Sequence, residues 1–386
     1  MGTGRQKVVV IGAGTLGMSA AWNLQQRGAE VTVLDQGGIA SGSSGRSVGV
    51  VGTQHVDDFE ILIRTHSLRQ LRQWAAHGLT FHAIGYMRLG RDARDMALFE
   101  KSLVMQRAHG ITSAQLLDPA AIRARVPHMN VDGLAGALFG PEDGFLDPHQ
   151  MCTLLAERVR EGGGTVRQNC KVNGAEMKGN LWHLATSAGA ITCDAVVNAA
   201  GAWAPAVATL FGQRLHVLPE RHQAVTIHLS EPLPYTMPMV MDLVQGGTGT
   251  GLNVRHDRPG QLITEIHKVS PTAGENPDSY NDQLDEAAKD QLAELLLERM
   301  PDLPGASFGR GWAGLYPKSS DGRPYVGPID PAEPSLVTAA GAGGYGIQLG
   351  PVIGQLAADW IIDGAPTSIP EARRLLPTPD RNRPIA

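Results

Sequence analysis

Three glycines near the N-terminus, Gly12, Gly14 and Gly17, have the spacing G-x-G-x-x-G. This spacing is typical of a loop that binds the pyrophosphate of a dinucleotide, because glycine allows a tight turn and lets the backbone approach the phosphates. Asp35 follows about 20 residues later, where a carboxylate can accept hydrogen bonds from a ribose hydroxyl. The motif predicts a dinucleotide site and leaves open whether the ligand is NAD or FAD.

A glycine- and serine-rich segment at 36–47 contains a single arginine. Its hydroxyl groups, its backbone N–H groups and the Arg46 guanidinium are suited to contact the second phosphate. A flexible surface turn is the alternative interpretation. The candidate contacts in this segment are Gln36, Ser43, Ser44, Gly45, Arg46 and Ser47.

Apolar patterning predicts the elements that position these residues. The runs 8–11 and 31–34 predict two buried strands, and the segment 15–27 between them predicts a helix. The free N–H groups at the start of that helix face the phosphates. Gly17 lets the helix lie close to the first strand.

The same α/β pattern returns later in the chain. The run 194–204 predicts a buried strand that ends in small residues, and a glycine-rich loop at 341–346 precedes a helix predicted over 350–363. Pro351 falls in the first turn of that predicted helix, where its missing N–H has no cost. Residues 215–270 alternate in the manner of antiparallel strands.

A helix predicted over 57–77 carries Arg64, Arg69 and Arg72, which we expect on its solvated face. Further helical patterns follow, and the last one is stopped by Pro301. These helices are predicted over 92–109, 118–125, 149–161 and 282–300.

Composition and charge exclude several classes of protein. The 386 residues carry a formal net charge of −5, which argues against nucleic acid or an anionic membrane as a partner. No apolar stretch reaches the roughly 18 residues that a membrane span needs. Cys152, Cys170 and Cys193 have no paired spacing, which indicates reduced thiols and a cytoplasmic protein. The histidine positions show no ligand set, so no metal is expected.

Three distant segments together carry a resemblance to a known family. They are the GAGTLG unit at 12–17, the run VVNAAGAWA at 196–204, and the segment WAGLYPKSSDGRPYVG at 312–327 with its downstream glycine-rich loop. The chain resembles the D-amino acid oxidase-type FAD-dependent oxidoreductases, the group of glycine oxidase, monomeric sarcosine oxidase and the sarcosine oxidase β subunit. The resemblance spans nearly the whole chain and implies FAD rather than NAD.

The resemblance implies an α/β fold with two domains. A discontinuous Rossmann-like FAD-binding domain is expected over 1–80, 141–214 and 305–386. A second α+β domain, which holds the substrate and is built on a mostly antiparallel sheet, is expected over 81–140 and 215–304.

The resemblance also implies where FAD binds. Backbone near Val172 should meet the adenine, residues 45–49 should lie along the flavin ring, and the loop 341–346 should lie near its pyrimidine edge. Relatives with covalent flavin use a cysteine where this chain has Gly314, or a histidine near the loop 41–52, which here contains neither residue type. FAD should therefore be noncovalent. The residues expected to bind it are Gly12, Gly14, Thr15, Leu16, Gly17, Asp35, Gln36, Ser43, Ser44, Gly45, Arg46, Ser47, Val172, Ala200, Gly201, Trp203, Gly314, Gly343, Gly344, Tyr345, Gly346, Ile347 and Gln348.

The activity that the resemblance implies is oxidation of a small amine or amino acid. A hydride leaves the carbon next to the amine for flavin N5, and water hydrolyses the resulting imine. Oxygen or another acceptor then takes the electrons. Two alternatives stay open: oxidation of a 2-hydroxy acid on the same fold, and a role as the FAD-binding subunit of a hetero-oligomeric oxidase or dehydrogenase. A homo-oligomer is equally compatible.

Relatives that oxidise amino acids hold the substrate carboxylate with arginine or lysine. The corresponding positions here are Tyr316, Gly344, Gln348 and Gly52, none of which carries a positive charge. Arg255 remains a candidate anchor, so binding of a small α-amino acid in the usual way is in doubt.

The residues expected to line the substrate site or act in it are therefore few. Lys318 is a further candidate for the anchor, and His222 is interpreted as a loop histidine that is satisfied by its surroundings. The expected substrate-site residues are Tyr316, Tyr345, Arg255 and Gln348.

Overall fold

A computed structural model describes residues 5–242, 250–268 and 274–385. Its elements alternate between strand and helix near both ends and are rich in strands between them. The helices are α1 (Thr15–Gln26), α2 (Asp58–Ala75), α3 (Ala93–Ala108), α4 (Pro119–Arg125), α5 (Pro148–Glu161), α6 (Ala204–Leu210), α7 (Glu286–Arg299) and α8 (Gly346–Asp363). The strands are β1 (Lys7–Ile11), β2 (Glu30–Leu34), β3 (Val50–Val51), β4 (Phe81–His82), β5 (Tyr86–Gly90), β6 (Gln115–Leu117), β7 (Gly136–Gly140), β8 (Gly144–Leu146), β9 (Thr165–Arg167), β10 (Val172–Lys178), β11 (Leu181–Thr186), β12 (Gly189–Cys193), β13 (Ala195–Asn198), β14 (Leu218–His228), β15 (Met239–Asp242), β16 (Thr250–Arg258), β17 (Gln261–Lys268), β18 (Ser307–Lys318), β19 (Tyr325–Pro328) and β20 (Leu336–Ala340).

A six-stranded sheet in the order β19-β20-β13-β1-β2-β9 forms the first half of the fold. Apart from β19, its neighbouring strands are parallel. Ile11 at the end of β1 is in register with Leu34 of β2 and Asn198 of β13. The segments that follow these three strands therefore emerge at one edge of the sheet, where open α/β sheets bind their ligands.

The helices α1 and α8 cover this sheet and pack closely on each other. A Cβ at Gly17 would lie 1.9 Å from the carbonyl oxygen of Gly12, so this glycine lets α1 approach β1 as expected. The helix predicted over 350–363 begins earlier, at Gly346. Pro351 consequently lies inside the helix, and the prediction that it occupies the first turn is wrong.

An eight-stranded sheet in the order β18-β14-β17-β16-β15-β5-β7-β6 forms the second half. All its pairings are antiparallel except that of β15 with β5. The edge strand β18 pairs along its length with β14, although the predicted domain boundary at 305 assigns it to the FAD-binding domain. The predicted fold class, with one Rossmann-like sheet and one mostly antiparallel sheet, is confirmed.

Candidate active site

A cleft of about 560 Å³ runs along the edge of the six-stranded sheet where β1, β2 and β13 end. Its size is typical of a ligand site. One end is lined by Gly12, Asp35 and Val172, and the other by Gly314 and Gly344. Residues from both ends of the chain thus form one continuous binding surface.

Close backbone approach shapes this cleft. Gly12 has a φ of +112°, and a Cβ there would lie 2.4 Å from the carbonyl oxygen of Ala199. A Cβ at Gly344 would lie 2.4 Å from the ring of Tyr316. Side chains at these positions would clash with neighbouring protein atoms, so the glycines let the segments that line the cleft lie close together. The glycine cradle fits a dinucleotide cofactor that extends from the N-terminal motif to the loop before α8.

Asp35 and Ser44 hold the loops around the first turn of α1. The Asp35 carboxylate accepts hydrogen bonds from the backbone N–H groups of Ala13, at 2.7 Å, and Gly37, at 2.8 Å. The Ser44 hydroxyl accepts a hydrogen bond from the Thr15 N–H at 3.0 Å. Each carboxylate oxygen has a second lone pair available for a ribose hydroxyl.

The cleft gathers most of the residues expected to bind FAD, and it leaves out four of them. Gly17 faces β1, as described above. A Cβ at Gly45 would meet the Ala40 carbonyl oxygen at 2.3 Å and the His149 ring, so it too serves packing. Tyr345 and Gln348 line a neighbouring cavity instead.

This second cavity, of about 50 Å³, adjoins the cleft and shares five wall residues with it. At roughly 10–15 Å³ for each water-sized group, it holds about four such groups. The shared wall consists of Ser47, Val48, Glu265, Tyr316 and Gly344.

Three of the four residues expected in the substrate site, Tyr316, Tyr345 and Gln348, line this small cavity. The side-chain oxygen of Gln348 accepts a hydrogen bond from the Gly52 N–H at 3.1 Å, which fixes the first turn of α8 against the loop after β3.

Arg255 does not line either cavity. Its Nε donates to the Val48 carbonyl at 2.9 Å, its Nη1 donates to the His256 carbonyl at 2.7 Å, and its guanidinium lies 3.9 Å from the centre of the Phe145 ring. The structure therefore gives Arg255 a supporting position behind residue 48 rather than the predicted anchor position. The alternative anchor, Lys318, is paired with Glu220 at 2.5 Å.

His222 lies within β14 rather than in a loop, and it lines the cleft. Its ring stacks on the Tyr316 ring with 3.8 Å between centroids. Burial raises the pKa of Tyr316 well above its usual value, and the nearby Glu265 raises it further. Tyr316 is therefore a neutral hydrogen-bond donor at the boundary of the two cavities.

Sequence reasoning missed the charged residues of the small cavity, which are Arg64, Arg88 and Glu265. The expectation that Arg64 lies on a solvated face is wrong, since only 3% of it is exposed. Arg64 precedes the buried Leu68 and Leu71 by four and seven positions on α2, so the three share one helical face. That spacing is the sequence feature from which the burial of Arg64 could have been predicted.

The sequence profile of the FAD dependent oxidoreductase family (DAO) matches residues 7–360. The chain therefore belongs to this family of flavoproteins, and its cofactor is FAD. Among known proteins it is similar to human mitochondrial dimethylglycine dehydrogenase (27% identity, 94% of this chain, 43% of the relative) and to glycine oxidase of Geobacillus kaustophilus (23% identity, 93% of each chain). The chain spans less than half the length of the former.

A solved structure supports the same assignment. The crystal structure of L-proline dehydrogenase from P. horikoshii superposes with a TM-score of 0.82 at 26% identity, and covers 93% of this chain and 94% of that one. None of the described helices is long and apolar enough to cross a membrane.

Proposed function

We propose that the chain oxidises the carbon–nitrogen bond of a small amine-bearing substrate that binds in the small cavity. The observation that carries this proposal is the carboxylate of Glu265 in the wall shared with the cofactor cleft. A negative group at this boundary is suited to bind a cationic amine where the cofactor and the substrate meet.

The contacts of Glu265 support this role. One carboxylate oxygen accepts a hydrogen bond from the Asn253 amide at 2.9 Å, and the other accepts one from the Tyr316 hydroxyl at 3.3 Å. Both partners are neutral donors, and among the described residues no lysine or arginine forms a salt bridge with Glu265. Burial lowers the pKa of Arg255 and the charge of Glu265 acts against this effect, but in the described part of the chain neither carboxylate oxygen of Glu265 is occupied by an ionic partner. Both oxygens can therefore interact with an ammonium group.

Oxidation of an amine gives the Glu265 carboxylate a second role, as the acceptor of a proton. An ammonium must lose a proton before its nitrogen lone pair can assist departure of hydride from the adjacent carbon, and Glu265 is placed to accept that proton. Bound FAD supplies the hydride acceptor. The imine left behind is hydrolysed by water to a carbonyl compound and an amine. A 2-hydroxy acid offers Glu265 no cation, which favours the amine over this alternative.

Anaerobic mixing with matched pairs tests the proposal. Glycine, sarcosine and alanine are compared with glycolate and lactate, and loss of the oxidised flavin absorbance is recorded. We expect reduction by an amine and not by its hydroxy counterpart. Reduction by the hydroxy acids alone would contradict the proposal.

The variant Glu265→Gln tests the residue itself. It keeps the size and one hydrogen-bond acceptor but removes the charge, so kcat/KM for the amine should fall about 10- to 100-fold. Glu30→Gln, at an exposed position of β2, is the control and should leave kcat/KM unchanged. An unchanged value in Glu265→Gln would remove Glu265 from the mechanism.

We further propose that FAD is noncovalent, because Gly314 and the loop 41–52 offer no cysteine or histidine for attachment. A cytoplasmic location is supported by three buried cysteines that form no disulfide.

Comparison of oxygen consumption with dye reduction distinguishes an oxidase from a dehydrogenase. Reduction of the flavin only after a partner protein is added would favour the role of an FAD-binding subunit.

A further inference from the structure

Residues 274–285, which lie between β17 and α7 in the chain, form a strap at the surface of the cofactor cleft. This strap contains no helix or strand. Its Asp278 is exposed and lines the cleft together with Trp203 and Arg46. The strap is thus a part of the cleft wall that neither of the two large sheets supplies.

The strap is attached to the eight-stranded sheet near both of its ends. The Glu275 N–H donates to the Pro219 carbonyl at 2.8 Å. Arg221 Nε donates to the Asn281 carbonyl at 2.6 Å, and Arg221 Nη1 pairs with the Asp285 carboxylate at 2.5 Å. Pro219 and Arg221 belong to β14, so both ends are fixed on the same strand.

The middle of the strap contacts segments that follow strands of the six-stranded sheet. The Trp203 Nε1–H donates to the Asp278 carboxylate at 2.7 Å. The guanidinium of Arg46 lies 5.9 Å from the centre of the Tyr280 ring, and its Nη2 lies 3.8 Å from the Asp282 carboxylate. The strap therefore links the two halves of the fold across the cofactor cleft.

Trp203 itself reaches over the glycine-rich turn. A Cβ at Gly42 would lie 3.4 Å from Cζ3 of the Trp203 ring. Gly42 comes after β2 and Trp203 after β13, and β1 lies between these two strands in the sheet. A contact between the two outer segments therefore spans the turn 12–17, and Asp278 holds the Trp203 ring in this position.

The contacts in the middle of the strap can open separately from its ends. The hydrogen bond between Trp203 and Asp278 and the ion pair between Arg46 and Asp282 both lie at the surface, where such contacts contribute little to stability. The ends are held by a backbone hydrogen bond and by several contacts of Arg221. Local opening of the middle therefore does not require the ends to detach.

We propose that this strap closes over bound FAD as a latch, which opens to let the cofactor enter or leave and slows both steps when it is closed. The inference does not depend on amine oxidation, but it rests on the proposal that FAD is noncovalent. Because the latch contacts join two parts of the protein, their loss should raise the rate constants for association and dissociation together. The ratio of the two constants, which is Kd, should then change little.

The variant Asp278→Ala tests the latch, because it removes the acceptor of the Trp203 N–H. Release of FAD is followed by the rise in flavin fluorescence after dilution of the loaded protein, and binding by the loss of fluorescence when apoprotein and FAD are mixed. Both rate constants should rise about fivefold, the effect of losing one hydrogen bond of ordinary strength, while Kd stays nearly unchanged. Unchanged rate constants would overturn the inference, and so would faster release without faster binding.

Three further variants keep the test interpretable. Asp278→Asn keeps an oxygen that can accept the Trp203 N–H, so its rate constants should stay close to those of wild type. Trp203→Phe removes the same hydrogen bond from the other side and keeps an aromatic ring, so it should reproduce the effect if Asp278→Ala fails to fold. Asp290→Ala, at an exposed position of α7, is the matched control and should leave both rate constants unchanged.

The double variant decides whether Trp203 and Asp278 act through this one contact. Its rate constants should equal those of either single variant, because the hydrogen bond can be lost only once. Effects that multiply would show that the two residues act independently and would refute the latch. Flavin that stays on the acid-denatured chain would refute the latch together with noncovalent binding. If FAD exchanges as expected but no amine reduces the flavin, the latch stands and the proposed function fails.

Discussion

Asp143 is the buried residue behind the wall of the small cavity. Its carboxylate, only 1% exposed, accepts hydrogen bonds from the Thr53 N–H at 3.1 Å and from the Gln54 amide at 2.9 Å. Gln54 in turn lines the cavity, and its carbonyl holds Arg88. Asp143 is thus a positioning residue for the wall of the small cavity.

The variant Asp143→Asn should change how stability depends on pH. Burial raises the pKa of Asp143 to about 6, from a usual value of 3.8, against the lowering effect of its hydrogen bonds. The folded chain therefore holds a proton between about pH 4 and pH 6 that the unfolded chain has released, and wild type loses stability as the pH rises through this window.

Urea unfolding at several pH values measures this effect. Between pH 4 and pH 6 the free energy of unfolding of Asp143→Asn should shift relative to wild type by on the order of 3 kcal/mol in favour of the variant. A difference between the two proteins that stays constant over this window would contradict the assignment of the titration to Asp143.

The helices α1 and α8 position both ends of the cleft, and glycines determine how closely they pack. A Cβ at Gly354 of α8 would lie 2.4 Å from the carbonyl carbon of Ser19 in α1. A Cβ at Gly350 would lie 2.1 Å from a methyl group of Thr15. Because α8 begins at Gly346, this contact also fixes the first turn, from which Tyr345 and Gln348 reach the small cavity.

Gly354→Ala sets two effects against each other. Alanine favours a helix over glycine by about 1 kcal/mol, whereas overpacking against backbone costs up to about 3 kcal/mol. We expect a net loss of about 2 kcal/mol in the free energy of unfolding, together with a lower FAD content. The control is Gly174→Ala, where the nearest atom to the added Cβ lies 3.9 Å away. Stabilisation by Gly354→Ala would show that the helices are not in close contact.

The molecule as a whole builds its cofactor cleft from segments that lie far apart in the sequence. Gly12, Val172, Ala200, Gly314 and Gly344 all line it. Gly314 belongs to the eight-stranded sheet and Val172 to the three-stranded sheet β10-β11-β12, and Gly12 and Ala200 follow strands of the six-stranded sheet. An unfolded chain cannot assemble this surface. Binding of FAD is therefore coupled to folding of the whole chain.

Free FAD should stabilise the protein by mass action if it is noncovalent. At a free concentration of 100 times its Kd, the gain in free energy of unfolding is about 2.7 kcal/mol, because only the folded state binds it. Thermal unfolding of the protein in rising FAD measures this gain, with NAD as the matched ligand that should have no effect. Flavin that stays attached to the denatured chain would instead show a covalent bond.

The parts of the molecule that depend on local geometry were predictable. The spacing of Gly12, Gly14 and Gly17 predicts the tight turn between β1 and α1, since these constraints act over a few residues. The start of α8 was not predictable from Pro351, because proline inside a helix is accommodated by packing that the local sequence does not show.

The charged residues of the small cavity could not be predicted, for a different reason. Arg64, Arg88 and Glu265 come from α2, β5 and β17, and none stands in a motif. Charged residues are almost always exposed, so sequence reasoning assigns Arg64 to the surface. Its burial follows from the face that α2 turns to the core.

The sequence alone therefore determined a dinucleotide site, because binding of a pyrophosphate requires backbone conformations that only a few spaced glycines provide. The choice of FAD over NAD came from the resemblance that three distant segments carry together. The tertiary structure decided which charges line the small cavity. Arg255 lies in a supporting position behind Val48, and Arg64, Arg88 and Glu265 line one small cavity. Side-chain charges act through space, and the distances between them exist only once the sheets and helices have packed.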